Sequence, residues 1–362
     1  MTKKNGLHLE QVRSLVQLGN LSTTPHPFNG LIDTDLLNLG ITHGVASWCY
    51  LQTQKGLVNN LPSSELALWK TSYLQTALKY QQKFKTLLDI QNLFEQAGIP
   101  LIALKGIALA SHLYKDEATR PMGDIDLLVP ENRGMEALTI LFEAGAKQTF
   151  VPRSLLHEQV HSHVRAVTLN GILIEIHQRL FSLGTPYHID TAICLKNSRL
   201  VQKQGSTLRI LNDTLMGYHL LGHIATNIKN GGLRLGWLLD VAMLFKQQPN
   251  LEVFVQDIID INPSKQNQIR DLVKLSTLWF GEQGAMDYEA TLLTVFELMK
   301  SRNLKQIHRI VNLKTMAQTP GIARKIHLFY RELFPMPEYM YDWGKGKEKR
   351  LWRLYIKRLF RF

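Results

Sequence analysis

Apolar residues recur at helical spacing in two long parts of the chain. The longest such stretch runs from residue 63 to 97, and Gly98 follows it as a typical helix end. Shorter helical stretches lie around residues 35 to 51, and the helical period returns after Asp213. Turn-forming dipeptides mark breaks in this later part: Asn230-Gly231, Asn262-Pro263 and Thr319-Pro320. The pattern predicts helical segments before and after a central region of different character.

That central region, from Ile99 to about Phe181, has short apolar runs of the kind that form strands. The runs are Ile99 to Leu104, Ile125 to Val129, Val164 to Leu169 and Ile172 to Ile176. Asn170-Gly171 separates the last two and is typical of a two-residue hairpin turn, so they are predicted to be antiparallel neighbours. Residues 131 to 144 have the period of an intervening helix.

The order of these elements predicts an α+β fold. We expect a small mixed-sheet core at residues 98–182, with an N-terminal helical lobe at 1–97 and a C-terminal helical lobe at 183–362. The tail of the last lobe has the spacing of a basic amphipathic helix. Its basic residues are Lys349, Arg350, Arg353, Lys357 and Arg361, opposite Leu351, Tyr355, Leu359 and Phe362. Such a helix could dock on the protein itself, or contact RNA, a membrane surface or an acidic peptide.

Two aspartates stand at the start of the second apolar run, directly after Gly123. Side chains alternate along a strand, so Asp124 and Asp126 are predicted to share one face, about 7 Å apart. Two like charges at that separation repel, and a bound divalent cation relieves the repulsion. The alternative is a solvent-facing strand with charges on one side, which needs no metal.

A third carboxylate, Glu175, lies inside the apolar run from Ile172 to Ile176. A buried strand rarely carries an unpaired carboxylate, so Glu175 is expected either to bind a metal or to pair with His177 or Arg179. If its strand lies beside that of Asp124 and Asp126, three carboxylates converge. Oxygen ligands in that number suit Mg²⁺ or Mn²⁺.

A candidate phosphate-binding turn precedes the aspartates. The first apolar run leads into Lys105-Gly106, and a helix is predicted from about Ile107 to Tyr114. Glycine allows close approach of the backbone to a phosphate, while the helix start and the lysine supply positive charge. Arg120 could add a bidentate phosphate contact, or could simply pair with a nearby acid.

These residues resemble the DNA polymerase β superfamily of nucleotidyltransferases. The resemblance is closest to its bacterial "uncharacterised nucleotidyltransferase" branch, whose genes often neighbour natural-product and modified-peptide pathways. Gly106 matches the turn of that superfamily, Asp124 and Asp126 match its metal pair, and Glu175 matches its third carboxylate. Residues similar to those of the branch also include Lys105, Arg120, His177, His223, Trp237 and Asp240. The turn departs from the usual Gly-Ser or Gly-Gly pair, because Gly106 is followed by Ile107.

The resemblance implies transfer of a nucleoside monophosphate from an NTP, with ATP as the default donor, by a two-metal mechanism. Asp124, Asp126 and Glu175 would be catalytic metal ligands, and Lys105, Gly106, Arg120 and Gly123 would bind the nucleotide. His177, His223 and Asp240 are candidates for the acceptor pocket. The acceptor is expected to be a hydroxyl or similar group on a small molecule or peptide.

The net charge of +12 favours anionic partners, so a toxin-like tRNA nucleotidyltransferase is an alternative. Because Asp-x-Asp also occurs in metal-dependent glycosyltransferases, a nucleotide-sugar donor is a further one. A non-catalytic nucleotide-binding or partner-binding module remains open as well, since the turn lacks its hydroxyl. The two cysteines give no disulfide framework, and no apolar run reaches membrane-spanning length. The chain is therefore expected to be cytoplasmic and unprocessed.

The spacing of His157, His161 and His163 superficially matches a zinc site. No cysteine accompanies these histidines, and a change from helix to strand between them would scatter their directions. They are interpreted as structural residues.

Overall fold

The computed structural model describes most of the chain, and every structural statement below concerns these residues. They are 8–21, 28, 32–55, 63–281, 287–300, 315–345, 348 and 350–360. Within them the protein is α+β, with a mixed sheet of seven strands and helical segments before and after the sheet segments in the chain, as predicted. No helix in this part has the length and apolar character that crossing a membrane requires.

The helices that carry labels below are numbered in chain order. They are α1 (Leu9–Leu18), α2 (Thr34–Thr42), α3 (Ala46–Gln54), α4 (Ser63–Gln96), α5 (Lys105–His112), α6 (Gly134–Glu143), α7 (Leu155–Val160), α8 (Thr191–Lys196), α9 (Asp213–Gly231), α10 (Leu235–Lys246), α11 (Leu251–Ile261), α12 (Gln266–Ser276), α13 (Tyr288–Lys300), α14 (Ile322–Leu333), α15 (Pro337–Trp343) and α16 (Leu351–Leu359). The strands are β1 (Ile102–Leu104), β2 (Asp124–Leu128), β3 (Lys147–Gln148), β4 (Val167–Leu169), β5 (Ile172–His177), β6 (Ser198–Lys203) and β7 (Ser206–Leu211).

The sheet has the strand order β3-β4-β5-β2-β1-β7-β6. β2 lies between β5, which is parallel to it, and β1, which is antiparallel. The predicted hairpin is confirmed: β4 and β5 pair antiparallel, and Asn170 and Gly171 have the positive φ angles, 53° and 76°, that such a turn requires.

One face of the β2–β5 pair is apolar and the other polar. Ile125, Leu127, Ile174 and Ile176 are at most 1% exposed and belong to the core. Because side chains alternate, the residues between them face the opposite side, where the acidic residues of both strands gather. Burial of the apolar face therefore fixes which way the carboxylates point.

The chain divides into two compact units, each made of three separate segments. The first unit contains residues 1–84, 105–123 and 211–307, and the second contains 85–104, 124–210 and 308–362. The first is helical, whereas the second contains the sheet apart from the last residue of β7. These units describe compactness and are made of interleaved segments. The three consecutive lobes expected from the sequence stay a prediction about domain organisation.

Sequence reasoning missed the β6–β7 hairpin, which falls in the segment expected to be helical. Gln204 and Gly205 form its turn with φ angles of 50° and 77°. β7 joins the sheet through a parallel pair with β1, at Ala103 and Ile210. The alternation in Ser206–Leu211 could have revealed the strand, but the turn does not have one of the common hairpin dipeptides.

The C-terminal helix is present as α16 and docks within the second unit. Leu354 is 1% exposed, and the Arg358 guanidinium donates to the carbonyl oxygen of Leu333 at 3.1 Å. Arg353 and Lys357 are exposed on the helix, and their nitrogen atoms lie 3.7 and 4.0 Å from a carboxylate oxygen of Glu348. Lys349, Arg361 and Phe362 of the predicted basic and apolar stripes lie outside the described residues.

Candidate active site

Two of the three predicted metal ligands are direct neighbours on adjacent strands. The parallel register of β2 and β5 pairs Asp126 with Glu175, and Leu128 with His177. Paired residues of parallel strands point to the same face, and residues two apart share a face. Asp126, Glu175 and His177 therefore converge on the polar side of the sheet.

The three side chains form a compact group. The Nε2 atom of His177 lies 2.8 Å from Oδ1 of Asp126 and 3.7 Å from Oε2 of Glu175. One ligand atom from each residue lies within 4.8 Å of the other two, which is the geometry of a group that could hold a metal ion. Asp126 and His177 are 4% exposed, whereas the side chain of Glu175 is 27% exposed. If all three residues are ligands, two carboxylates and an imidazole fit a divalent cation of the Mn²⁺ type. If the imidazole only orients a carboxylate, the remaining oxygen ligands fit Mg²⁺.

The electrostatics keep Glu175 ionised. The contact with His177 lowers the pKa of Glu175, while burial and the negative charge of Asp126 oppose that effect. A carboxylate whose pKa lies below its ordinary value is available as a ligand at neutral pH. The predicted alternative pairing is also partly present, because His177 does contact Glu175, whereas Arg179 pairs with Glu131.

Asp124 stands two residues before Asp126 on the same strand and is half-buried. The register pairs Asp124 with Leu173, so Asp124 lies two residues before the pair of Asp126 and Glu175 along the strands. It is not among the three residues whose ligand atoms come within 4.8 Å of one another. The structure thus brings Asp126 and Glu175 together with His177 and leaves the metal role of Asp124 as a prediction.

His163 also lies near this group, although sequence reasoning assigned it no role there. It forms a backbone bridge with His177, and the two rings lie 5.5 Å apart. No local pattern in the sequence indicates this contact, since it depends on the segment before β4 lying against the end of β5. His163 helps to build the wall beside the carboxylates.

The predicted phosphate turn belongs to the first unit. Lys105 begins α5 with a φ of 41°, an uncommon left-handed conformation for a residue other than glycine. At Gly106, an added Cβ would lie 2.8 Å from Cβ of Met122 and 3.0 Å from Nη1 of Arg120. The glycine therefore allows the loop before Gly123 to pack closely against α5, in addition to any approach of a phosphate.

Arg120 is held by a buried carboxylate. Its Nε and Nη2 atoms donate to Asp240 at 3.1 and 2.7 Å, and Tyr114 donates to the same carboxylate at 2.8 Å. Asp240 is 1% exposed, so it lies behind Arg120 and positions it. Burial, followed by the negative charge of Asp240, raises the pKa of Tyr114 well above its ordinary value, so this hydroxyl remains a donor.

His223 has a comparable supporting position in the same unit. Its ring lies edge-on to Trp237 at 5.0 Å, and the guanidinium of Arg234 lies 5.4 Å from the centre of the Trp237 ring. Arg234 is the residue just before α10, and Trp237 lies three residues later in the first turn of that helix. Two of the predicted acceptor residues, Asp240 and His223, thus support two arginines.

Both of these arginines line a cavity of about 240 Å³ in the first unit, together with Gly123 and Lys79. Sequence reasoning missed Lys79 and Arg234. Nothing distinguishes Lys79 from the other lysines of α4 in the sequence, and Arg234 lies outside every motif.

The histidines considered and rejected as a zinc site line another cavity, of about 350 Å³, in the second unit. The rings of His157 and His161 lie 4.0 Å apart. Burial, with smaller effects of neighbouring positive charges, lowers the pKa of His157 to about 3 and that of His161 to about 4. Within the described chain, the group of three ligands close enough for a metal is the one around Asp126 and does not include these histidines.

Comparison with known proteins agrees with the chemistry of the site. A family model described as "Uncharacterised nucleotidyltransferase" matches residues 33–267, more than half of the chain. No curated protein matches. A solved structure that is similar in part, the crystal structure of an antigenic nucleotidyltransferase-like protein from Paracoccidioides brasiliensis, is 12% identical, with 55% of this chain and 92% of that chain covered. Its TM-score of 0.26 is too low to equate the two folds.

Proposed function

The chain belongs to the uncharacterised nucleotidyltransferase family, and we propose that it transfers a nucleoside monophosphate from an NTP, with ATP as the default donor, to a hydroxyl or similar acceptor. The acceptor is a small molecule or a modified peptide. One observation carries the proposal: Asp126 and Glu175 lie side by side on adjacent strands, with His177 against both. Their negative charges need a cation, and nucleotidyl transfer uses one.

Mg²⁺ or Mn²⁺ would be held by Asp126 and Glu175, together with Asp124, the other member of the predicted metal pair. When bound, it would neutralise the phosphate oxygens and lower the barrier for in-line displacement. His177 donates from Nε2 to Asp126 and fixes the direction of that carboxylate, as imidazoles next to metal ligands often do. This role makes His177 a positioning residue.

In the proposed reaction the acceptor oxygen forms a bond to the α-phosphorus, and the bond from that phosphorus to the bridging oxygen breaks. Pyrophosphate leaves with the electron pair, and the proton of the acceptor hydroxyl passes to Glu175. Lys105, the N–H groups around Gly106, and Gly123 are proposed to contact the donor phosphates. Arg120 would add a fixed positive charge, because Asp240 holds it in one orientation.

The proposal is tested with purified protein, Mg²⁺ or Mn²⁺, labelled ATP and a panel of acceptors, with pyrophosphate release as the readout. Asp126→Asn and Glu175→Gln should each reduce turnover about a thousandfold or more, since a metal ligand supplies several kcal/mol of transition-state stabilisation. Asp124→Asn tests the other member of the predicted metal pair. Glu143→Gln, at an exposed position of α6 in the same unit, is the matched control. Activity equal to that of the control in all three variants would refute the assignment.

A tRNA acceptor is the second candidate, favoured by the net charge of +12 and by the exposed basic residues of α16. Contacts with phosphates release counterions, so binding of tRNA should weaken steeply as salt is added. Flat salt dependence would remove this candidate. ATP binding that ignores divalent cations and never yields pyrophosphate would instead favour a non-catalytic nucleotide-binding module.

A further inference from the structure

The cavity of the first unit has an unusual balance of charge. Its lining carries three positive side chains, Lys79, Arg120 and Arg234, and its described lining residues include no carboxylate. Asp240 neutralises Arg120 from behind. In the described part of the chain neither Lys79 nor Arg234 has an ion-pair partner. The cavity therefore has about two uncompensated positive charges.

The positive groups are held in place by residues behind them. Asp240 binds two nitrogens of Arg120, and the ring of Trp237, supported edge-on by His223, lies under the guanidinium of Arg234. Arg120 is thus fixed by hydrogen bonds, whereas Arg234 is exposed and lies against an aromatic ring. Both guanidinium groups are suited to recognise a planar or tetrahedral oxyanion. Lys79 adds a mobile ammonium from the exposed side of α4.

The remaining polar lining offers hydrogen bonds to a hydroxylated compound. Ser47 and Thr76 bond to each other at 2.9 Å on the buried side, and Gln75 stands exposed on α4 beside Lys79. At about 240 Å³ the cavity lies below the range of about 300–1,000 Å³ that is usual for drug-sized ligands. A cavity of this volume suits a ligand smaller than a drug-sized compound.

We propose that this cavity binds a small phosphate monoester, held by Lys79 and Arg234. A phosphate monoester carries a charge of about −1.5 to −2 at pH 7, which matches the uncompensated positive charge of the lining. Binding of the phosphate group stands on the cavity alone.

The test is calorimetry at low salt with two probes, inorganic phosphate and glycerol 3-phosphate, and with glycerol as the uncharged counterpart. Lys79→Gln and Arg234→Gln should each weaken the binding of both phosphate probes about tenfold, since each removes a charge-assisted contact. Lys70→Gln on the same helix and Arg270→Gln on α12 are exposed controls that do not line the cavity, and both should bind as the parent protein does. Binding should also weaken below about pH 6, where the phosphate dianion takes up a proton and loses one negative charge.

The outcomes separate this proposal from the proposed function. Asp126→Asn should bind glycerol 3-phosphate like the parent protein, so loss of turnover in that variant does not affect the result. The proposal is overturned if neither phosphate probe binds, or if Lys79→Gln and Arg234→Gln bind both like the controls. It is also overturned if the two variants weaken ATP binding without divalent cation as much as they weaken phosphate binding, because the cavity would then belong to the donor.

Discussion

Replacement of Asp240 by Asn should destabilise the protein strongly, although the residue lies far from Asp126 in the sequence. The side chain of Asp240 is 2% exposed and that of Arg120 is 15% exposed, so the pair is largely removed from water. Asn keeps one acceptor but loses the charge, and it places an amide N–H where a guanidinium N–H also points. Removing one partner of a buried pair costs about 3–5 kcal/mol, because the remaining charge stays buried and uncompensated.

The double variant Arg120→Met/Asp240→Leu makes the prediction specific to the pair. Replacing both partners by apolar residues of similar size leaves no unpaired charge, although the buried hydroxyl of Tyr114 loses its acceptor at a cost of about 1–3 kcal/mol. The double variant should therefore be more stable than either single variant. Tyr114→Phe should cost less than Asp240→Asn, about 1.5–3 kcal/mol, since it removes one hydrogen bond to a charged group.

Urea unfolding followed by circular dichroism measures these differences. With m of about 3 kcal/mol/M, the upper end of the range for small proteins, Asp240→Asn should lower the midpoint by about 1 M or more. Asp260→Asn is the control, because Asp260 is exposed and contacts only a neighbouring glutamine in the described chain. If Asp240→Asn shifts the midpoint no more than this control does, the buried pair does not hold Arg120 as argued.

Three other predictions concern separate parts of the protein. Gly106→Ala should lower the free energy of unfolding by about 1–3 kcal/mol, because the added Cβ would lie 2.8 Å from Cβ of Met122 and overpack the site. Gly123→Ala is the control, since an added Cβ there meets nothing within 4 Å. Equal urea midpoints for the two variants would contradict the close packing. Gly171→Ala should lower the free energy of unfolding by about 1–2 kcal/mol, because φ is 76° at this turn and residues with a Cβ are strained there. Thermal unfolding at equal protein concentration measures this loss. A loss smaller than that of an exposed helix substitution would argue against the hairpin. Acid should destabilise the fold through His157, because its imidazole takes up a proton below the ordinary pKa of 6.5 in the unfolded chain but only near 3 in the folded one. Between pH 7 and pH 5 the free energy of unfolding of the parent protein should therefore fall by about 2 kcal/mol more than that of His157→Gln. Equal losses would refute the lowered pKa.

The sequence by itself determined the local elements and the face of each candidate residue. Alternation of apolar and polar positions placed Asp124 and Asp126 on one side of β2 and Glu175 on one side of β5, because burial of Ile125 and Ile174 leaves the other side for polar groups. The Asn-Gly dipeptide fixed the hairpin. The long helix α4 and the breaks in the C-terminal part also followed from local signals, since helix period and turn chemistry act over a few residues.

Only the tertiary structure decided which of these residues meet. The pairing of Asp126 with Glu175 depends on β2 and β5 being adjacent, in parallel and in one register, which no local pattern specifies. The same holds for Asp240 behind Arg120, and for Lys79 and Arg234 in one cavity, because these residues come from distant segments. Local periodicity is set by the backbone geometry of each element, whereas such meetings depend on long-range packing of the whole chain. The sequence therefore indicated the chemistry of the site, whereas the fold brought His177 to Asp126 and, separately, Lys79 and Arg234 into one cavity.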